Sequence, residues 1–160
     1  MGLLTLSGAG CTMLRPACET PANAEPVRSA ACVVVADGRL LVIRHRFGGL
    51  LGLPGGTAHR GEAGTCTAER ETWEETGYAV RAVERVGPRN AVSPVFRCEL
   101  LEEPQGTDPP SRPLRAMPEV LGIYWLEPGQ LDASDWRSPA QLEWLPALVA
   151  RLDHRVKSAP

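Results

Sequence analysis

The chain has 160 residues, 43% of them hydrophobic and 22% charged, with a net charge of −2, which predicts one soluble globular domain with its own core. This balance argues against a nucleic acid polymer or an anionic membrane surface as a partner, because either one attracts clustered Lys and Arg. No apolar run approaches the roughly 18 residues that a membrane-spanning helix needs, so we expect no membrane association of that kind.

Residues 1–27 are rich in Pro, Ala and Thr and lack sustained periodicity, which predicts a flexible arm before a folded domain at residues 28–155. The arm begins with the apolar stretch MGLLTLSGAG, which is short for an export signal and lacks its positive charges, since the first Arg is Arg15. A frayed terminus and the remnant of an export signal are the two interpretations. We expect a cytoplasmic protein by default and leave an exported, periplasmic one open.

The folded domain is predicted to begin with a β-hairpin. Ala30–Ala36 and Arg39–His45 are apolar, β-branched runs, and the Asp37-Gly38 dipeptide between them favours a tight type I′ turn. The glycine-rich run FGGLLGLPGG from Phe47 to Gly56 then predicts a loop without regular structure, which either bends sharply or lets something approach its backbone.

A helix is predicted at Ala63–Thr76, because Gly77 suits the left-handed position that ends a helix. Trp73 lies about 200° around this helix from Glu71 and is expected to pack inward, with Trp125 and Trp144 in the core as well. Three more apolar runs predict strands, at Ala79–Val86, Pro94–Leu101 and Val120–Leu126.

A Pro-rich loop, Glu103–Pro118, separates the last two strands, and a second helix closes the chain. Ser138 is its candidate N-cap and Pro139 its first residue. Its apolar stripe consists of Leu142, Leu145, Leu148, Val149 and Leu152. Strands mixed with two helices at unequal intervals predict an α+β layered domain with a mixed sheet.

The five cysteines are scattered without a C-x-x-C pair, so we expect no cysteine metal site. They are Cys11, Cys18, Cys32, Cys66 and Cys98. Cys32 and Cys98 lie inside apolar runs, which is typical of small buried hydrophobic side chains. The sequence leaves open whether any of the five form disulfides, which would bear on the compartment.

Three carboxylates share one face of the first helix. At roughly 100° per residue, Glu71, Glu74 and Glu75 fall within an arc of about 100°. Like charges at these spacings destabilise a helix by a few tenths of a kcal/mol each, whereas a hard divalent cation turns the same repulsion into a binding site. Taken alone, the segment R-E-x-x-E-E is more often a solvated charged face.

The wider spacing decides between these interpretations. The run from Gly56 to Gly77 follows G-x5-E-x7-R-E-x2-E-E-x-G, and the chance of this pattern per starting position is on the order of 10⁻⁹. From Gly56 to Tyr78 the chain resembles the signature of the Nudix hydrolases, the MutT-like pyrophosphohydrolases. The resemblance implies an α/β/α sandwich with a mixed sheet. Thr72 stands where an aliphatic residue is usual, and Leu51 where many members have Trp.

The resemblance also implies a metal site. Glu71, Glu74 and Glu75 would bind one or more Mg²⁺ ions, with Mn²⁺ as a substitute. The backbone carbonyl of Gly55 or Gly56 would supply a further oxygen ligand. The implied reaction is hydrolysis of a phosphoanhydride bond in a nucleoside diphosphate linked to another group, with the metal activating a water.

Supporting roles follow from the same resemblance. Arg70 would orient the metal-binding carboxylates, and Glu62 would tie the loop to the start of the helix. Apart from the resemblance, Arg44 and Arg46 flank His45 at a strand end that leads into the glycine-rich loop, so they are candidates to meet substrate phosphates, with a solvated strand end as the alternative. The candidates for the general base are Glu74, Glu75, Glu119, Glu102 and Glu103, and an idle surface carboxylate is the alternative for the last three.

The resemblance leaves two functions. One is a Mg²⁺-dependent pyrophosphohydrolase that acts on a small nucleotide, and the other is a catalytically silent module that senses a nucleotide. A sensing module would usually have lost one of the signature glutamates, and none is lost here. The substrate and the general base stay open, and a homodimer is an option because many relatives are dimers.

Overall fold

The structure is a computed structural model that describes residues 17–18, 27–88, 93–102 and 112–157. Nearly all of the predicted arm, the candidate base Glu103 and most of the Pro-rich loop lie outside these residues. The strands are β1 (Ser29–Ala36), β2 (Arg39–His45), β3 (Leu51–Gly52), β4 (Gly55–Thr57), β5 (Val80–Val86), β6 (Val95–Leu100) and β7 (Val120–Leu126). The helices are α1 (Gly64–Thr76) and α2 (Leu145–Lys157), with short 3₁₀ turns at Leu114–Ala116, Pro128–Gln130, Ala133–Asp135 and Pro139–Glu143.

The strands form one mixed sheet in the order β3-β2-β1-β6-β5, with β7 paired to β2 and β4 paired to β1. β1 and β6 run parallel, whereas the other pairs are antiparallel. Alternate residues of β1 face opposite sides, so Cys32 and Val34 pack in the cluster that contains Ala68 of α1, and Val33 packs in the cluster of α2. Helices therefore cover both faces of the sheet, which confirms the α+β sandwich.

The predicted hairpin is confirmed. Asp37 and Gly38 have φ values of 50° and 71°, the pair of positive angles that a type I′ turn requires. The turn pairs Val35 with Leu40 and Ala36 with Arg39.

The prediction of an irregular loop from Phe47 to Gly56 is wrong in part, because this run contributes β3 and β4. β4 pairs with the start of β1, where a Cβ on Gly55 would collide with the backbone of Ala30 and Ala31. Its glycines therefore allow a close strand pairing that a larger residue would prevent.

The second helix starts later than predicted. The Ser138 side chain makes no capping hydrogen bond, Pro139–Glu143 is a 3₁₀ turn, and α2 begins at Leu145. Pro146 explains the break, since its ring would clash with a carbonyl of the preceding turn in a continuous α-helix but suits the first turn of a new one. The predicted apolar stripe is nevertheless buried, with Leu142 at its edge.

Two disulfides join Cys18 to Cys66 and Cys32 to Cys98, with Cα–Cα distances of 5.4 and 5.6 Å. Cys32 and Cys98 are buried as expected, but they are bonded across β1 and β6 rather than free. No helix of the described residues has the length and hydropathy to cross a membrane.

Candidate active site

The acidic helix α1 ends as the sequence predicts. Gly77 adopts a left-handed φ of 82°, and its N–H donates to the Trp73 carbonyl at 2.9 Å. The helix packs against β1 and β4, and the Glu71 carboxylate lies against Gly56, where an added Cβ would stand 2.5 to 2.7 Å from its atoms. Gly56 in β4 therefore leaves the space in which the Glu71 carboxylate packs against the sheet.

The expectation that Trp73 packs inward is wrong. Its ring is half-buried and lies outside both core clusters of the described residues, and the Arg115 guanidinium stacks on it at 3.6 Å from the ring centroid. Most of the helix surface is buried, including Cys66 and Glu69 on the same side as Trp73, so the Trp73 ring is covered by Arg115 rather than by either core cluster. Trp125 does lie in the core, and Trp144 packs at the edge of the α2 cluster.

Arg70 is the centre of the acidic network. It is 3% exposed, and its Nε and Nη2 each donate to the Glu62 carboxylate at 2.9 Å. Its Nη1 donates to Glu71 at 2.8 Å and to Glu74 at 3.2 Å, and Nη2 also donates to the Thr57 carbonyl at 2.8 Å. The hydrogen bonds that Arg70 donates to Glu62 raise the pKa of the Arg70 guanidinium further above its usual range. Arg70 thus contacts Glu71 and Glu74, two of the three carboxylates that it is expected to orient, whereas Glu75 accepts a hydrogen bond from the Gly55 N–H.

Glu62 connects the loop before α1 to the helix. Besides Arg70, its carboxylate accepts hydrogen bonds from the His59 N–H at 2.9 Å and the Thr67 hydroxyl at 3.0 Å. The Arg70 guanidinium is the main cause that lowers the pKa of Glu62 to about 2, with the His59 and Thr67 hydrogen bonds in support. Glu62 is therefore a fixed anion that closes the loop onto the helix start.

Glu71 and Glu75 are the buried acids of the cluster. Glu75 is 4% exposed and accepts a hydrogen bond from the Gly55 N–H at 2.8 Å. Burial raises the pKa of Glu75 to about 8, and the charges of Glu71 and Glu119 add to the increase. Burial likewise raises the pKa of Glu71, and the charges of Glu74 and Glu119 contribute. Like charges crowd together here out of reach of bulk water.

The other candidate carboxylates differ in position. The Glu74 side chain is 41% exposed, so it forms the solvent side of the cluster. Glu119 is exposed and lies just before β7, close enough for its charge to act on both Glu71 and Glu75. Glu102 is exposed, and no interaction within the described residues joins it to the cluster.

The cluster fits a hard divalent cation by its donor chemistry, since it offers carboxylate and carbonyl oxygens together with unrelieved like charge. In the part of the chain that the structure describes, no three His, Cys, Asp or Glu side chains already converge as a ligand group. Glu71 and Glu74 each direct one oxygen to the Arg70 guanidinium.

Arg44 and Arg46, predicted to meet substrate, are engaged by the protein. Arg44 donates to both oxygens of Asp135 at 3.0 and 2.8 Å and to the Gly49 carbonyl at 2.5 Å. Arg46 donates twice to the Met117 carbonyl, at 2.9 and 2.7 Å. No hydrogen bond between described residues joins either one to the acidic cluster, and a contact with substrate stays a prediction for both.

A cavity of about 350 Å³ opens beside β4, and its lining includes Gly55, Gly56, His45 and Arg137. Arg137 was missed by the sequence analysis, because a single Arg in a turn between Trp and Ser-Pro carries no signal of its own. A larger cavity, of about 790 Å³, lies between β5 and α2 and contains no residue of the acidic helix or of β4. Of these two cavities, we assign the smaller one to the site, because its lining includes Gly55 and Gly56, which contact Glu75 and Glu71.

The sequence and the fold match known proteins. The model of the NUDIX domain matches residues 26–148. A MutT-like protein from Streptomyces ambofaciens is 34% identical over 125 residues, which are 75% of this chain and 75% of that one.

Three solved structures share the fold. A UDP-X diphosphatase superposes with a TM-score of 0.58 at 21% identity, over 82% of this chain and 66% of that one. A Nudix hydrolase from Nitrosomonas europaea has a TM-score of 0.59 at 19% identity, over 79% and 71% of the two chains. An ADP-ribose pyrophosphatase from Streptococcus suis has a TM-score of 0.55 at 18% identity, over 75% and 89%.

Proposed function

We propose a reaction for this chain, which belongs to the Nudix family of pyrophosphohydrolases: Mg²⁺-dependent hydrolysis of a nucleoside diphosphate linked to a further group X, giving nucleoside monophosphate and phosphate-X. The observation that carries the proposal is the buried network in which Arg70 joins Glu62, Glu71 and Glu74. A surface charge run would not keep a guanidinium 3% exposed among three carboxylates.

Glu71, Glu74 and Glu75 would hold the Mg²⁺, with a Gly55 or Gly56 carbonyl as a further ligand and Mn²⁺ as a substitute. When bound, the cation supplies charge neutralisation at the phosphates and lowers the pKa of a water. The donor set supports this assignment, since it is made of hard oxygens only and its mutual repulsion is relieved by positive charge.

The chain's own residues supply position and proton transfer. Arg70 and Glu62 hold the carboxylates in place, which lowers the cost of ordering them when substrate arrives. Glu74 and Glu119 are the exposed carboxylates near the buried acids, so either can accept a proton from an attacking water. The substrate is a small nucleotide, and a homodimer is compatible with the proposal.

The names of two structural relatives suggest which compounds to test. At 18 and 21% identity these relatives share only the fold with this chain. UDP-linked compounds and ADP-ribose are therefore included in a panel of test substrates and are not assigned as its substrate. Dinucleoside polyphosphates and oxidised nucleoside triphosphates complete the panel.

The test is release of nucleoside monophosphate or phosphate from this panel with Mg²⁺ and with EDTA. We expect turnover of one compound class with Mg²⁺ and none with EDTA. A folded protein that binds a nucleotide with Mg²⁺ but turns over no member of the panel would contradict the proposal and favour the silent sensing module.

The two disulfides bear on location. Such bonds persist in oxidising compartments, so they support the exported alternative over the cytoplasmic default. Alkylation and mass spectrometry of the protein from its native host would test this, because free Cys32 and Cys98 thiols in that material would contradict export.

A further inference from the structure

Each residue of the short segment Asp135–Arg137 is held in place by a contact with another part of the fold. Asp135 accepts two hydrogen bonds from Arg44, Trp136 is 2% exposed in the α2 cluster, and the Arg137 N–H donates to the Leu51 carbonyl at 2.8 Å. The backbone that carries Arg137 is therefore held against β3, and its side chain starts from a defined place at the cavity wall.

His45 fixes the other end of the Arg137 side chain. The Nη1 of Arg137 lies 3.1 Å from His45 Nδ1, and the imidazole is 8% exposed. Its ring packs on Gly52, where an added Cβ would stand 2.8 Å from Nε2. Burial, with the Arg137 charge in support, lowers the pKa of His45 to about 4, so the ring is neutral at pH 7 and can accept a hydrogen bond from the guanidinium.

Among the residues that the structure describes, the Arg137 guanidinium has no anionic partner. In residues 27–88, 93–102 and 112–157, no carboxylate lies within ion-pair distance of it. Its charge nevertheless acts on Glu75, and the cavity that Arg137 lines also reaches Gly55 and Gly56 beneath the acidic cluster. An oriented cation thus lines the same cavity as Gly55 and Gly56, the two glycines that contact Glu75 and Glu71.

We propose that Arg137, held by neutral His45, binds one phosphate of the substrate's pyrophosphate group and so positions the anhydride bond beside the acidic cluster. The inference rests on the proposed function and adds a residue outside the signature to it. A guanidinium suits this task because its planar donors can meet two phosphate oxygens at once, which an ammonium group cannot do. His45 acts as a positioning residue, since it contacts the guanidinium and not the substrate.

The first test is kinetic and uses the compound that wild type hydrolyses. We expect Arg137→Ala to raise KM by about tenfold or more, with kcat changed by less than about threefold, because the lost contact is made before and during reaction. Arg137→Lys should recover part of the loss, and His45→Phe should raise KM in the same direction.

Arg81→Ala is the matched control. It also removes an arginine, but Arg81 is 53% exposed on β5, lies 4.0 Å from Glu69 and does not line the cavity. We expect its KM to equal that of wild type. An Arg137→Ala enzyme with wild-type KM would overturn the inference while leaving the proposed function standing.

The second test does not need turnover. Calorimetric titration of wild type, Arg81→Ala and Arg137→Ala with inorganic pyrophosphate and Mg²⁺ should show affinity about tenfold or more weaker for Arg137→Ala alone. If Arg137→Ala alone binds pyrophosphate more weakly but wild type turns over no nucleotide, the proposed function is refuted and the phosphate-binding role of Arg137 still holds. No binding to wild type, or equal binding to all three proteins, would overturn the inference.

Discussion

Thr72 illustrates how one residue departs from a family pattern. It stands where the signature usually has an aliphatic side chain, and it is completely buried in α1. Its hydroxyl is one of two buried side-chain polar atoms without a hydrogen-bond partner among the described residues. A buried, unpaired hydroxyl destabilises the fold, so the departure affects packing and not the acidic cluster.

Replacing Thr72 with Val should therefore stabilise the protein. The substitution keeps the branched shape and removes the unpaired oxygen, and we expect the free energy of unfolding to rise by about 1 kcal/mol in urea titration. Turnover should not change. Ser at the same position keeps the hydroxyl and serves as the control, and a Val variant less stable than wild type would refute this account of the site.

His45 makes stability depend on pH. Its pKa falls from 6.5 in the unfolded chain to about 4 in the fold, so its neutral form is favoured when folded. The associated stability is fully present above pH 6.5 and is lost as the pH falls from there toward 4. Urea unfolding of wild type across this range should show the loss, and His45→Gln should show a smaller one. Equal pH dependence in the two proteins would contradict the shift.

Among the elements, those with local signals could be predicted and those set by distant contacts could not. Gly77 ends α1 within the helix itself, and Asp37-Gly38 sets the turn of the hairpin, so both were found from sequence. β4 exists because its glycines fit against β1, and the Trp73 ring is covered by Arg115, which lies 42 residues further along the chain. Neither contact can be predicted from the residues next to it in the chain, because each depends on a distant segment.

Gly56→Ala tests the contact between β4 and α1. The new Cβ would stand 2.5 to 2.7 Å from the Glu71 carboxylate, so that side chain must move away from its place against β4. We expect kcat/KM to fall on the order of tenfold or more, with a small change in melting temperature because a flexible side-chain end gives way. Steady-state kinetics with Mg²⁺ measure this, and activity equal to wild type would show that the Glu71 position is not critical.

For the whole molecule, the sequence could predict the layered sandwich and the signature residues. Apolar runs indicate the strands and helices, and the fixed spacing from Gly56 to Gly77 indicates the signature. It could not predict the pairing of the cysteines or the role of Arg137, since both depend on segments far apart in the chain. Cys32 and Cys98 are 66 residues apart, and Arg137 meets His45 across a separation of 92. Such contacts appear only when the fold brings the segments together.

The Cys32–Cys98 bond joins β1 to β6 at the centre of the sheet. Replacing both residues with Ala should lower the free energy of unfolding by about 2–4 kcal/mol, chiefly because the unfolded chain is no longer constrained. Urea titration of this double variant beside wild type measures the effect. A loss below about 0.5 kcal/mol would contradict the expected stabilisation through constraint of the unfolded chain.

The central claim is that the carboxylates of α1 form a cation-dependent hydrolytic site, and Glu74→Gln tests it most directly. The substitution removes one charge at the exposed side of the cluster and hardly changes volume, so the fold should persist. With Mg²⁺ and the substrate that wild type turns over, we predict a fall in kcat of about 100-fold or more at an unchanged melting temperature. Turnover within about threefold of wild type would contradict the role of Glu74 and, with it, the site as described.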